Sequence, residues 1–456
     1  MSTQLLKRNE LSWTKAPFAE LTRLAWPICV STLSYSVMTL SDTLFVGRLG
    51  APALAGVGLG GTMSFGLVCF SIGLLRAVKV LVSQAAGAGQ HAQTRAYLGA
   101  GLVLALALGA LTAAIGQLVA PWMDAITPSA QAGAFAQTYM SIRLLGTPLL
   151  LMYVALREAR YGVGDSRTPM VASVLGNALN IALDYAFIVH AGFGVAGAAW
   201  ATVIAQTFEC AVLVVGQRRE GFGLRQWRGR HVASVFRMGL PTGIQFTLEV
   251  GAFVLLAAMI SALSDVEMAA HQIALHVIHV SFLPAFALAE AASIMTGQAV
   301  GADRDDLVLP VSRMAMTIAA VYTGACTLVL AGAGAWIASQ FTGDVDVRIA
   351  ATQLLYVAAV FQIADAANVV ARGALRGTGD VRAPAVIGIV TAWLLTPPLT
   401  WLLGYRAGLG AFGGWIGLCG EIFLAAALLW WRLRWGHWRR AAERSRAELA
   451  VDAQAT

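Results

Sequence analysis

The chain has 456 residues, 58% of them hydrophobic and 12% charged, with a formal net charge of +7. A soluble domain carries roughly 25% charged residues. Half that share, with a mean hydropathy of +0.70, excludes an ordinary soluble globular protein and indicates a chain that crosses a membrane many times.

The first dozen residues are polar, include Lys7 and Arg8, and show no cleavable signal-peptide pattern. Apolar runs of about 20 residues, each able to span a hydrocarbon core of roughly 30 Å, then recur along the chain. They lie near residues 20–46, 53–82, 94–118, 130–158, 167–190, 195–216, 234–262, 267–297, 307–338, 348–373, 382–405 and 411–433. An all-α polytopic fold of about twelve transmembrane helices is predicted. A cytoplasmic N-terminal segment (1–19), two lobes (20–216 and 234–433), a cytoplasmic linker (217–233) and a cytoplasmic tail (434–456) are expected.

Orientation follows from the basic residues. Arg157, Arg160 and Arg167, then Arg218, Arg219, Arg225, Arg228 and Arg230, then Arg372, Arg376 and Arg382, occupy one set of loops, and the tail adds Arg439, Arg440, Arg444 and Arg446. Arg-rich loops stay in the cytoplasm, which places both termini there. The same bias explains the net charge without a nucleic-acid partner. Cys29, Cys69, Cys210, Cys326 and Cys419 are scattered singly, with no metal-type or disulfide-type spacing.

The sequence is written twice. "REARYGVGDSRTP" from Arg157 lines up with "RGALRGTGDVRAP" from Arg372, an offset of 215, and "SQAAGAG" from Ser83 with "GQAVGAD" from Gly297. Pro27 pairs with Pro241 and Trp200 with Trp415. Six spans per half is an even number, so the repeats are parallel, an arrangement typical of transporters that alternate access around a central site. In the Gly-Asp turns, glycine supplies a positive φ, and Pro169 and Pro384 fit the first turn of the next helix. Pro27 and Pro241 open the first and seventh spans and are expected to bend them.

The repeat also sorts the acids. Asp165 pairs with Asp380, so both read as architecture. Asp42 falls opposite Leu256, Asp184 opposite Leu399, Glu249 opposite Tyr35 and Asp365 opposite Leu150. Carboxylates inside spans are costly and mark functional sites. At about 1.5 Å per residue, Asp42, Asn180, Asp184 and Thr202 reach one depth in the first half, and Glu249 and Asp365 sit at mid-depth in the second. Two carboxylates with an amide and a hydroxyl suit Na⁺ or a shared proton. His276 and His279 share a face of the eighth span and read as lining or packing residues. Arg76 aligns with Glu290 at an offset of 214 and is expected to form an ion pair with it, as a gate.

"SDTLFVGRLGAPALAGVGL", "SQAAGAG", "AHQIAL", "RGALRGTGD" and the paired prolines together resemble the multidrug and toxic compound extrusion (MATE) transporters, from about Leu21 to Trp431. The resemblance implies a bacterial inner-membrane antiporter that exports organic, cationic and amphipathic compounds, a multidrug efflux activity, in exchange for Na⁺ or H⁺. It places coupling-ion roles on Asp42, Asn180, Asp184 and Thr202, as in the DinF-like branch, and on Glu249 and Asp365, as in the NorM-type branch. The NorM-type branch often has a tyrosine one turn before its aspartate, where this chain has Phe361. The expected partners are organic cations, the coupling ion and membrane lipid. A monomer is expected, with no nucleic acid and no cofactor beyond Na⁺ or H⁺. An enzyme is not expected, since no HExxH, paired Ser/His arrangement or Gly-rich phosphate loop is present. A lipid-linked oligosaccharide flippase of the wider superfamily is the alternative, but it calls for a more basic interior than these acids provide.

Overall fold

A computed structural model describes residues 11–127 and 129–454, and all regular structure among them is helical. The long helices are α1 (Pro17–Gly47), α2 (Ala51–Gly87), α3 (His91–Val119), α4 (Ala130–Leu145), α5 (Thr147–Gly162), α6 (Arg167–Asp184), α7 (Gly194–Gln217), α8 (Gly229–Ser261), α9 (Asp265–Gly301), α10 (Val308–Phe341), α11 (Val345–Gly377), α12 (Arg382–Leu399), α13 (Gly410–Arg434) and α14 (Arg439–Ala453). Eleven helical segments are long and apolar enough to cross a membrane, or twelve if α4 and α5 make one span.

That fourth span differs from the single run expected at 130–158, because α4 and α5 meet at a bend of 51°. Pro148 is the reason: it has no N–H to continue the helix ladder and sits at the start of α5. The Thr147 hydroxyl donates to the Leu144 carbonyl at 2.6 Å and so serves a helix end that the proline leaves short of donors.

Pro27 and Pro241 also sit differently from expectation. Neither opens its helix; α1 starts at Pro17, α8 at Gly229, and each proline lies well inside. Pro17 takes the first helical position, where a missing N–H costs nothing.

The repeat is visible in backbone detail. Gly164 and Gly379, at equivalent turns, have φ of 87° and 86°. Asp165 accepts from the Thr168 N–H at 3.0 Å, whereas Asp380 holds Arg432 of α13. α6 runs into a π-helical segment, Tyr185–His190, and α12 into another, Thr400–Arg406, which starts 215 residues later. A π segment is rare in helical proteins. Its presence in both halves assigns it to the repeated architecture.

Among the described residues the chain forms two compact units, one of residues 11–29 with 245–447 and one of the described residues within 30–244 with 448–454. The first turns of α8 belong with α2, because glycines let the backbones touch: a Cβ at Gly239 would stand 2.2 Å from the Leu74 carbonyl oxygen. The chain's start belongs with α9, where the Trp13 indole donates to Gln298 at 2.9 Å. The tail is anchored as well, since buried Asp452 accepts from Tyr97 at 2.8 Å and from Ser234 at 2.9 Å.

All five cysteines are free. Trp415 is fully buried among Leu256, Ile260, Phe361 and Leu418, and its indole N–H donates to His271 Nδ1 at 3.0 Å. Its repeat counterpart Trp200 is 44% exposed, so sequence equivalence does not carry environment with it. Trp415→Phe is expected to lose that bond and leave part of the buried indole's volume empty, costing about 2 kcal/mol or more. A lowered thermal midpoint of the purified protein, with normal expression, is the result to look for; an unchanged midpoint would deny the bond any structural weight.

Candidate functional site

Three helices of one unit build the site. Asp42 sits in the last turns of α1, Asp184 ends α6 with Asn180 one turn earlier, and Thr202 lies on α7. Asp184 and Asn180 have no exposed surface and Thr202 is 2% exposed. The Asn180 amide bridges the two acids: its nitrogen donates to Asp42 Oδ1 at 2.8 Å and to Asp184 Oδ2 at 3.2 Å, while its oxygen accepts from the Thr202 N–H at 3.3 Å. The Thr202 hydroxyl donates to the Ala198 carbonyl at 3.0 Å. One turn before Asn180, Asn177 donates to the Ser34 hydroxyl at 2.9 Å and ties α6 to α1.

The Asp42 and Asp184 carboxyls are also within hydrogen-bonding range of each other. Two ionised carboxylates cannot bond to each other, since neither has a proton to donate. Asp184 Oδ1 is buried and finds no donor among the described residues. The donor set, all oxygen apart from one amide, is chemically suited to a shared proton or to a small hard cation. The four residues that depth counting aligned are therefore in one cluster.

Sequence distance hid the neighbours of that cluster. Asp42 has no base nearer in sequence than Arg48, yet Arg143 of α4 is the cation that acts on it, and Tyr139 lies within charge range of both acids. Arg143 also donates to Gln206 of α7 at 3.2 Å. The available signal was an arginine within an apolar run, "MSIRLL". A further acid, Glu209 of α7, is 7% exposed and within charge range of Arg157. It fits because Gly176 leaves room; a Cβ there would stand 2.2 Å from the Glu209 Cγ.

In the other unit, Glu249 of α8 pairs with Arg372 of α11, whose Nη1 lies 2.9 Å from each carboxylate oxygen. Gln245 donates to Glu249 Oε1 at 2.8 Å, Arg376 donates to Gln245 at 2.8 Å, and Arg372 Nη2 donates to Asn368 at 3.2 Å. Asp365 lies in the field of Arg372, as does Glu421 of α13, which accepts from the Thr396 hydroxyl. Glu421, midway along α13, was missed in the sequence. Phe361 is buried and stacks at an angle on Trp415, their ring centroids 6.2 Å apart. His276 bonds to the Gln272 carbonyl of its own helix at 2.9 Å. Arg76 belongs to one compact unit and Glu290 to the other. Among the described residues, no three His, Cys, Asp or Glu side chains group as a metal site.

The family profile described as MatE matches residues 27–186 and again 241–402. The "Probable multidrug resistance protein NorM" of Rhodopseudomonas palustris is 31% identical over 427 residues, covering 90% of this chain and 90% of that protein. The protein of the same name from Idiomarina loihiensis is 29% identical over 446 residues, covering 92% and 95%. Among solved structures, the MATE transporter VcmN of Vibrio cholerae superposes with a TM-score of 0.87 at 18% identity, over 93% of this chain and 98% of that one, which shows a shared fold.

Proposed function

Because the chain belongs to the MatE family, we propose that it is a secondary antiporter that exports organic, cationic and amphipathic compounds in exchange for Na⁺ or H⁺. The observation that carries this reading is the Asp42–Asn180–Asp184–Thr202 cluster, buried but for half-buried Asp42, with one carboxylate oxygen of Asp184 left without a donor. Loading a proton or Na⁺ there neutralises a repulsive pair inside a span; unloading restores the charge. Asn180 stays hydrogen-bonded throughout, so the exchange changes charge more than scaffold. Arg143 moderates the cost of the unloaded state. The protein works as a monomer in the bacterial inner membrane, surrounded by lipid, with both termini in the cytoplasm. Buried acids in both units disfavour a pyrophosphate-carrying flippase, which needs basic contacts.

Ethidium efflux from inverted vesicles, with Na⁺ and pH gradients imposed separately, tests the reading. One of the two gradients is expected to drive efflux. If neither does, the antiporter assignment falls.

A further inference from the structure

In the unit that contains α11, Glu249 is an intramembrane acid with a close basic partner. Both carboxylate oxygens are held by Arg372 Nη1 at 2.9 Å, and Oε1 is shared with Gln245 at 2.8 Å. Arg372 is oriented in turn by Asn368, one turn back on α11. Gly388 of α12 makes the space: a Cβ there would stand 2.3 Å from Glu249 Oε1 and 2.6 Å from Gln245 Nε2. The Arg372 and Glu249 side chains are 15% and 22% exposed, so water screens the pair only in part.

We propose that Arg372 is a built-in countercation for Glu249, so that this carboxylate does not bind a coupling ion. A second cation approaching Glu249 would meet a guanidinium fixed against both carboxylate oxygens, and like charges in a poorly screened site repel. A proton fares no better, because protonating Glu249 would strand a partly buried arginine. Gln245 and Arg376 extend the network along α8 and α11. Arg372 thus acts as a specificity-determining residue that keeps Glu249 from taking a coupling ion. The idea rests on the antiporter reading above only for its functional meaning; the occupancy of Glu249 can be measured without transport.

The full-length protein in liposomes is treated with dicyclohexylcarbodiimide, which reacts with protonated carboxyls in the membrane, and labelling of Glu249 is read by mass spectrometry. Wild-type Glu249 is expected to be labelled about tenfold less than in Arg372→Gln, the size of effect a partly screened ion pair supplies. Arg372→Lys, which keeps the charge, is expected to label as weakly as wild type. Replacing choline by Na⁺ is expected to leave wild-type labelling unchanged and to protect Glu249 in Arg372→Gln. Heavy labelling of wild-type Glu249, its protection by Na⁺, or Arg372→Lys labelling at the Arg372→Gln level would each overturn the inference. Should Arg372→Gln fail to fold, the wild-type Na⁺ comparison decides alone. Absence of gradient-driven ethidium efflux would sink the antiporter reading while leaving the labelling result intact.

Discussion

Asp42→Asn is expected to reduce ethidium efflux to the level of vesicles lacking the protein, while the protein still reaches the membrane in normal amount. Asparagine has the same shape and can still meet Asn180 and Asp184, so the helices keep their contacts. It cannot change charge, and charge change at the pair is what ion loading requires. Removing a carboxylate from a span also lifts an insertion cost of about 2.5–3.5 kcal/mol. The thermal midpoint should therefore hold or rise as activity disappears. That opposite movement separates a coupling role from a stapling role, in which stability and transport would fall together. Efflux at the wild-type rate from Asp42→Asn would remove this cluster from the mechanism.

The second large effect lies away from the acids, in the linker after α7. Gly223 has φ of +68°, and a Cβ there would stand 1.7 Å from the Arg95 carbonyl oxygen of α3. The Gly223 carbonyl in turn faces Gly99, where a Cβ would stand 2.5 Å away, and it accepts from Gln226 and Trp227 at 3.0 and 3.1 Å. Gly223→Ala therefore meets both a left-handed backbone and a main-chain clash that no rotamer can relieve. Its cost should be about 3 kcal/mol or more. Poor recovery of folded protein and a clearly lowered thermal midpoint are expected, with Gly229→Ala, which has open space around its Cβ, behaving as wild type. Equal midpoints for the two variants would show that the linker does not pack on α3 in this way.

That linker is also a measure of what was legible beforehand. It reads as an Arg-rich connection, and nothing in residues 217–233 announces a backbone contact with α3. The acids divide in the same manner. Asp42, Asn180, Asp184 and Thr202 could be brought to one depth by counting helix rise, because each lies on a span whose ends are marked by turn residues. Arg143 could not be assigned to Asp42, nor Arg372 to Glu249, which are 123 residues apart. The repeat showed which acids lack a counterpart, but a missing counterpart says nothing about a partner.

Hydropathy, the offset near 215 residues and the Gly-Asp turns determined, from the sequence by itself, an all-helical membrane chain written twice, with its asymmetric acids. These are properties of single helices, set by the cost of placing a polar group in lipid and by local backbone preference. Only the tertiary structure decided that α4 and α5 bend apart, that the first turns of α8 lie against α2, and that one acid meets an amide while another meets an arginine. Those outcomes depend on which helix faces come together, and glycines at Gly176, Gly239 and Gly388 let them come close. The ionic character of each site is a consequence of that packing, since a carboxylate's behaviour depends on the few atoms within reach of its oxygens.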